Sequence, residues 1–159
     1  ALDTVRNIAR GLQPFDMAGA PVTELIARMT DETSRRMSVD CTYEDKDAPP
    51  IEDPETCTQL LWIAREATNN AIRHGYATSV RVTLEPVGER LRLTVTDDGV
   101  GLSQDYGAKN GAGIKVMRYR AAAMGGHVTI GPKDDDGGTR VRCVFPAVRP
   151  PPAQSPEPV

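Results

Sequence analysis

Two stretches of strict alternation, "SVRVTLEPV" (79–87) and "RLRLTVTD" (90–97), stand either side of the pair Gly88-Glu89. Side chains along a strand point to opposite faces with period two, so each run carries one apolar face. The two residues between them suit a tight antiparallel hairpin. A second alternating pair, "HVTIGP" (127–132) and "TRVRCVFP" (139–146), encloses the turn "KDDDGG", and "VDCTYE" (39–44) reads as a short strand. Helical periodicity fills the rest. "LDTVRNIARGLQP" (2–14) carries a stripe of Leu2, Val5, Ile8 or Ala9 and Leu12 and stops before Pro14. "PVTELIARMTDETSRRM" (21–37) turns Val22, Leu25, Ile26 and Met29 inward. A third helix follows Asp53-Pro54, with the aspartate as N-cap and the proline in the first turn, and runs to about His74, with Gly75 as its stop. "IKVMRYRAAAMGG" (114–126) makes a fourth. Strands that pair as hairpins and helices that cover one face describe an α/β sandwich.

Composition narrows the class. The 159 residues are 39% hydrophobic and 26% charged, with only 4% aromatic, so the chain supports one globular domain with an aliphatic core. A net charge of −3, without a basic stripe interleaved with aromatics, speaks against direct nucleic-acid binding. No apolar run approaches the ~20 residues needed to span a bilayer, and no signal-like N-terminus is present. Cys41, Cys57 and Cys143 lack metal-ligand spacing and cannot all pair, so they read as small buried hydrophobes of a reducing compartment. The presence of only His74 and His127 speaks against a histidine-rich zinc site. The expectation is a cytoplasmic domain. Because Ala1 falls inside a helical pattern, it is expected to be a piece of a longer protein, whose anchoring stays open. The proline-rich "AVRPPPAQSPEPV" at the end is expected to be extended or disordered.

The chemistry gathers in three places. In "REATNNAIRHG" (65–75), Leu60, Ala64, Ala67 and Ala71 form an apolar arc, whereas Glu66, Asn70 and Arg73 fall together on another. The motif "DDGVG" places Asp97, Gly99 and Gly101 at a strand end, and "GAG" (111–113) opens a helix. A carboxylate at a strand end can accept from an exocyclic amine such as that of adenine, and adjacent glycines let a flat base approach the backbone. A helix N-terminus offers free N–H groups and a favourable dipole to phosphate. An Asn carbonyl is a hard oxygen ligand suited to Mg²⁺ shared with phosphates. Taken singly, the glycine motifs are common turns and the Glu–Asn pair a common solvated face. Together they supply the different parts of one ATP site.

The combination closely resembles the ATP-binding catalytic domain of two-component sensor histidine kinases, of the gyrase/chaperone/histidine-kinase/MutL superfamily. "REATNNAIRHG" resembles the family's asparagine box, "VTDDGVGL" its first glycine box, and "GAGIKVMRYRAAAMGG" its second with the following helix. "GGTRVRCVFP" resembles the closing strand, and "IARGLQP" the end of the second dimerisation helix in kinases with short lids, often paired with helix-turn-helix response regulators. The resemblance covers about residues 5–147. It implies a two-layer sandwich of Bergerat type with a mixed, mostly antiparallel sheet. Residues 1–17 would be a dimerisation-helix remnant and connector, 18–147 the ATP-binding domain, and 148–159 a flexible tail.

The resemblance further implies that Asn70 ligates Mg²⁺, that Glu66 is the catalytic carboxylate orienting the metal's water shell or the transferred phosphoryl, and that Asp97 accepts from the adenine amine. Gly99 and Gly101 would shape the base pocket, with Thr139 near adenine. Gly111, Ala112, Gly113 and Ile114 would end a mobile lid and offer backbone to phosphates. Arg73 and His74, a turn beyond Asn70, are either phosphate-side contacts or a positive helix C-terminus matched to the dipole. Arg118 and Arg120 read as surface charges. The implied partners are ATP, a response regulator and, in the full-length protein, a second copy. Two features depart from the family: Val116 replaces the third glycine of the second box, and no phenylalanine box lies between Gly101 and Gly111, which fits a compact lid. Residues 102–112 are expected to be mobile without nucleotide. Neither His74 nor His127 suits the role of phosphoacceptor, so the accepting histidine would lie outside this chain. An anti-sigma-type serine kinase and a non-catalytic nucleotide-binding interaction module are the competing readings.

Overall fold

The computed structural model describes residues 19–102, 111–134 and 137–148. Helix α1 (Val22–Met37) is followed by β1 (Asp40–Asp45), α2 (Pro54–Arg73), the hairpin β2 (Ser79–Val87) and β3 (Arg90–Asp97), α3 (Gly111–Ala123), and the pair β4 (His127–Asp134) and β5 (Gly137–Pro146). The first predicted helix, all but the first two residues of the proline-rich tail and most of the expected lid lie outside the described residues.

The five strands form one sheet in the order β1-β2-β3-β5-β4. β1 runs parallel to β2, and every other pair is antiparallel. Val87 pairs with Arg90, so Gly88-Glu89 is the two-residue turn that the alternation predicts. The register aligns Val82 with Val95 and Leu84 with Leu93, then Leu91 with Phe145 and Val95 with Val141. These residues are buried, and together they make one continuous apolar face. The opposite face carries Glu85, Arg92, Arg140 and Arg142 among others, with an Arg92–Glu85 ion pair at 2.7 Å. Three helices cover the apolar face: α1 over β1, α2 over β2 and β3, and α3 over β4 and β5. The two-layer mixed sandwich is therefore as the resemblance implies.

Local chemistry explains the element ends. Asp53 caps α2, its carboxylate accepting from the Thr56 N–H at 2.9 Å and the Thr56 hydroxyl at 2.6 Å, with Pro54 in the first turn. Its buried stripe contains Leu60, Ala64, Ala67 and Ala71, the arc read from the sequence. In α1 the surface side is laced by Glu24–Arg28 and Glu32–Arg36 pairs one turn apart.

Two boundaries differ from expectation. α2 does end at Arg73, but the left-handed residue after it is Tyr76, at φ 52, not Gly75. α3 begins at Gly111, three residues before the expected start, so Gly111, Ala112 and Gly113 form its first turn and not the end of a lid loop. Glycines are poor helix formers on their own. Tertiary contacts of this turn, described below, compensate.

Candidate nucleotide site

Asp97 is an oddity that the strand period itself creates. Leu91, Leu93 and Val95 point into the core, so the next residue of that row, Asp97, is buried as well, at 6% exposure. Two main-chain donors meet its Oδ1: the Gly99 N–H at 2.8 Å and the Thr139 N–H at 3.3 Å. Burial pushes its carboxyl above the ordinary aspartate range, and these two N–H groups hold the rise in check. The neighbouring Asp98 behaves oppositely. It faces outward and accepts from the Thr78 hydroxyl at 2.7 Å, the Thr78 N–H at 2.8 Å and the Ser79 N–H at 2.9 Å, which hold its carboxyl below the usual range.

The strand end is tied to its surroundings through backbone. Gly138 donates to the Gly99 carbonyl at 3.0 Å, and Val100 donates to the Gly75 carbonyl at 2.8 Å. Gly138 sits at φ 81, and a Cβ there would collide with the Asp97 carbonyl, so only glycine fits where β5 crosses the end of β3. A Cβ on Gly101 would come within 3.4 Å of the Gly138 carbonyl oxygen, so the two residues lie side by side. Asp97, Gly99, Gly101, Gly138 and Thr139 thus form one cluster. The sequence drew attention to the first three and to Thr139. Gly75 and Gly138 acquire their roles only through contacts between distant segments, although the doubled glycine opening β5 was a visible signal.

A second cluster stands beside it. Glu66 and Asn70 lie one turn apart on α2, facing the first turn of α3. A Cβ on Gly113 would strike the Glu66 carboxylate and come within 3.7 Å of Asn70 Nδ2, so the helix start rests directly on this pair. Asn70 Nδ2 is buried and has no hydrogen-bond partner among the described residues. A carboxylate at a helix N-terminus is favourably placed by the dipole. The two clusters adjoin through Gly75, whose N–H donates to the Asn70 carbonyl at 3.1 Å and whose own carbonyl holds Val100.

Other predicted site residues are placed differently. Ile114 turns its side chain into the core, leaving only its backbone toward the helix start. Ala112 is exposed, and Gly111 has open space around it. His74 is exposed at the end of α2, where its N–H completes the helix on the Asn70 carbonyl. Arg73 is drawn toward α1, lining a cleft with Arg65, Asn69, Glu32 and Arg36. Arg120 is no surface charge. Its guanidinium lies 4.1 Å from the Trp62 ring centre and donates to Gln59 Oε1 at 2.8 Å, so it pins α3 to α2 two turns after Gly113.

Comparison with known proteins places this geometry. Residues 56–149 match the model of the family described as histidine kinase-, DNA gyrase B-, and HSP90-like ATPase. The chain belongs to that family. The matched stretch of this ATPase domain holds both clusters. Among similar proteins is the sensor histidine kinase LiaS of Bacillus subtilis, 29% identical over 126 residues, covering 79% of this chain and 34% of LiaS. The nitrate/nitrite sensor protein NarX of Escherichia coli is 35% identical over 97 residues, covering 61% of this chain and 16% of NarX. The ATPase domain therefore spans about a third or less of these relatives. In three dimensions it resembles the histidine kinase domain of the Erythrobacter litoralis EL346 blue-light activated histidine kinase, with a TM-score of 0.69 at 20% identity, covering 85% of this chain and 69% of that one. The fold is that of histidine kinase ATP-binding domains. Among the described residues no helix is long and apolar enough to cross a membrane.

Proposed function

We propose that this chain is the catalytic domain of a sensor histidine kinase, transferring the γ-phosphoryl of Mg²⁺–ATP to a histidine outside the chain and thence to an aspartate on a response regulator. The observation that carries the reading is the junction of the two clusters. A buried carboxylate at one strand end adjoins a Glu–Asn pair seated against a helix N-terminus. In this reading Asp97 accepts from the adenine amine, Gly99 and Gly101 border the base, and Thr139 holds Asp97 from behind. The N–H groups at the start of α3, from Gly111 to Ile114, receive phosphate oxygens. His74 stands at the rim. Arg73 keeps the dipole-matching role, because it faces α1.

Asn70 and Glu66 fit a hard divalent cation. Their donors are an amide and a carboxylate, and the carboxylate already lies against the turn that would receive phosphate. Two anions at one helix start need a cation between them. Among the described residues no group of three or more His, Cys, Asp and Glu side chains suits a metal ion, which favours an ion held jointly with phosphates. Mg²⁺ bound there would neutralise charge on the phosphates. The chain's own contribution is positioning, as in phosphoryl transfer generally. Glu66 fixes the approach to the γ-phosphoryl, and the buried Asp97 sets the base and hence the line of the triphosphate. The sensor-kinase relatives favour histidine over a serine on a small antagonist as acceptor. Homodimerisation through the helix that would precede this domain belongs to the same proposal.

Calorimetric titration of ATP and ADP, with and without Mg²⁺, tests the site. Binding should vanish in Asp97→Asn and lose its Mg²⁺ dependence in Asn70→Ala. Unchanged affinity in both variants would overturn the assignment.

A further inference from the structure

The sheet has a second face, away from the helices, and strand register sets what stands on it. One row across the strands reads Arg81, Thr96, Arg140 and Gly131, and the next reads Thr83, Thr94, Arg142 and Thr129. No residue of either row is buried, and Arg81, Arg142 and Thr129 are fully exposed. Neither row contains an aliphatic or aromatic side chain.

Charge is uneven on this face. Among the described residues, the guanidinium groups of Arg81, Arg140 and Arg142 have no hydrogen bond or ion pair. The nearby acids are already engaged. Glu85 pairs with Arg92 at 2.7 Å, and Asp98 accepts three hydrogen bonds from Thr78 and Ser79. The Arg92 hydrogen bond holds the Glu85 carboxyl below its usual range, with the charges of Lys46 and Arg142 contributing. Glu44 stands at the far end of the second row, three strands from Arg142. The surplus is positive, on a chain whose net charge is −3. At ~4.8 Å between strands and ~7 Å between like-facing residues, the backbone at Arg140 lies ~7 Å from that at Arg142 and ~10 Å from that at Arg81.

We propose that this face docks an extended acidic segment of a partner protein, with alternate carboxylates on Arg140 and Arg142 and a flanking one on Arg81. Like-facing side chains of an extended segment repeat every ~7 Å, the spacing of Arg140 and Arg142. The hydroxyls of Thr94, Thr96 and Thr129 supply donors between the cations. Such complementarity speeds encounter and gives modest, salt-sensitive binding. A nucleic-acid backbone fits less well, because Glu44 and Asp98 flank the rows and neither row offers an aromatic for a base to stack on. Asp97 belongs to the opposite, buried row of β3, so docking here is independent of the nucleotide assignment.

The test titrates the intact 159-residue chain, labelled with nitrogen-15, with an alternating Glu-Thr decapeptide at low salt, followed by amide NMR. Shifts should concentrate at Thr94, Thr96, Thr129, Arg140 and Arg142 and fade as salt rises. Arg140→Gln with Arg142→Gln should weaken binding about tenfold. Arg28→Gln with Arg118→Gln removes as much charge from the exposed side of the helical layer and should bind like the parent. Arg81→Gln, on another strand, gives an independent reading, with about a threefold loss. Thermal melts of each variant separate these losses from unfolding. Absence of shifts at millimolar peptide, or equal weakening by the two double variants, would overturn the proposal. Tighter binding of a short DNA duplex to the same face would also overturn it, by making nucleic acid the occupant.

Discussion

Asp97 is kept in its place against its own preference. Its folded-state carboxyl titrates above the unfolded value because burial disfavours the charge. The folded form therefore binds the proton more tightly, so the stability tied to this group is present at low pH and is lost as pH rises from ~4 through the folded value. Asp97→Asn removes that penalty while leaving an oxygen for the Gly99 and Thr139 donors. The variant should melt about 2 °C higher than the parent at neutral pH without nucleotide, and no higher below pH ~4, by thermal denaturation across pH. It should also fail to bind ATP. Asp98 carries the opposite sign: its lowered carboxyl contributes stability above the unfolded value that fades as pH falls through the folded one. That Asp97 would be buried was legible in the sequence, since it continues the row Leu91, Leu93, Val95 at period two. The donors that hold it were not, because Thr139 is brought across from a strand 42 residues away.

The start of α3 shows how an element can be seated by its neighbours. Gly113 leaves room for the Glu66 carboxylate, the end of a flexible side chain. Gly113→Ala should therefore displace Glu66 and leave the fold intact, gaining up to about 1 kcal/mol from helix propensity while phosphotransfer falls. Denaturant unfolding beside a kinase assay against a histidine-bearing dimerisation domain separates the two effects. Gly138→Ala is the contrasting case, since its Cβ meets backbone at a left-handed residue; it should cost about 3 kcal/mol. The far end of α3 depends on Arg120 stacked over Trp62. Arg120→Lys keeps the charge but loses the planar contact and the Gln59 bond, with an expected loss of about 1 kcal/mol by chemical denaturation. Periodicity located α2 and both hairpins to within a few residues because those signals are local. It placed the start of α3 three residues late, and gave no hint of Arg120, because both depend on packing between segments distant in the chain.

At the scale of the whole molecule, one helical layer lies over one face of the sheet, and the Asp97 and Glu66–Asn70 clusters adjoin at one end of it. The chain has two histidines, and both lie exposed at element ends, one capping α2 and one opening β4. Incubated alone with Mg²⁺–ATP it should take up no acid-labile phosphate, as measured with radiolabelled nucleotide, while phosphorylating a separate dimerisation domain. Incorporation at His74 or His127 would contradict the proposed division of labour. Family membership was legible because three short motifs, around Asn70, Asp97 and Gly111, stand in the family's order within one small domain.

Helix α2 is 20 residues long, with Asp53 capping one end and Asn70 in the last turn at the other. Cys57 in its first turn and Asn70 beside the start of α3 are about 20 Å apart along its axis at 1.5 Å per residue. A hydrogen-bonded helix barely stretches, so the two ends share every axial shift. Mechanically, α2 is a push-rod. An axial shift at the Asp53 end moves the Asn70 amide by the same distance, and a displacement of one or two ångströms is already large on the scale at which phosphoryl groups must be aligned.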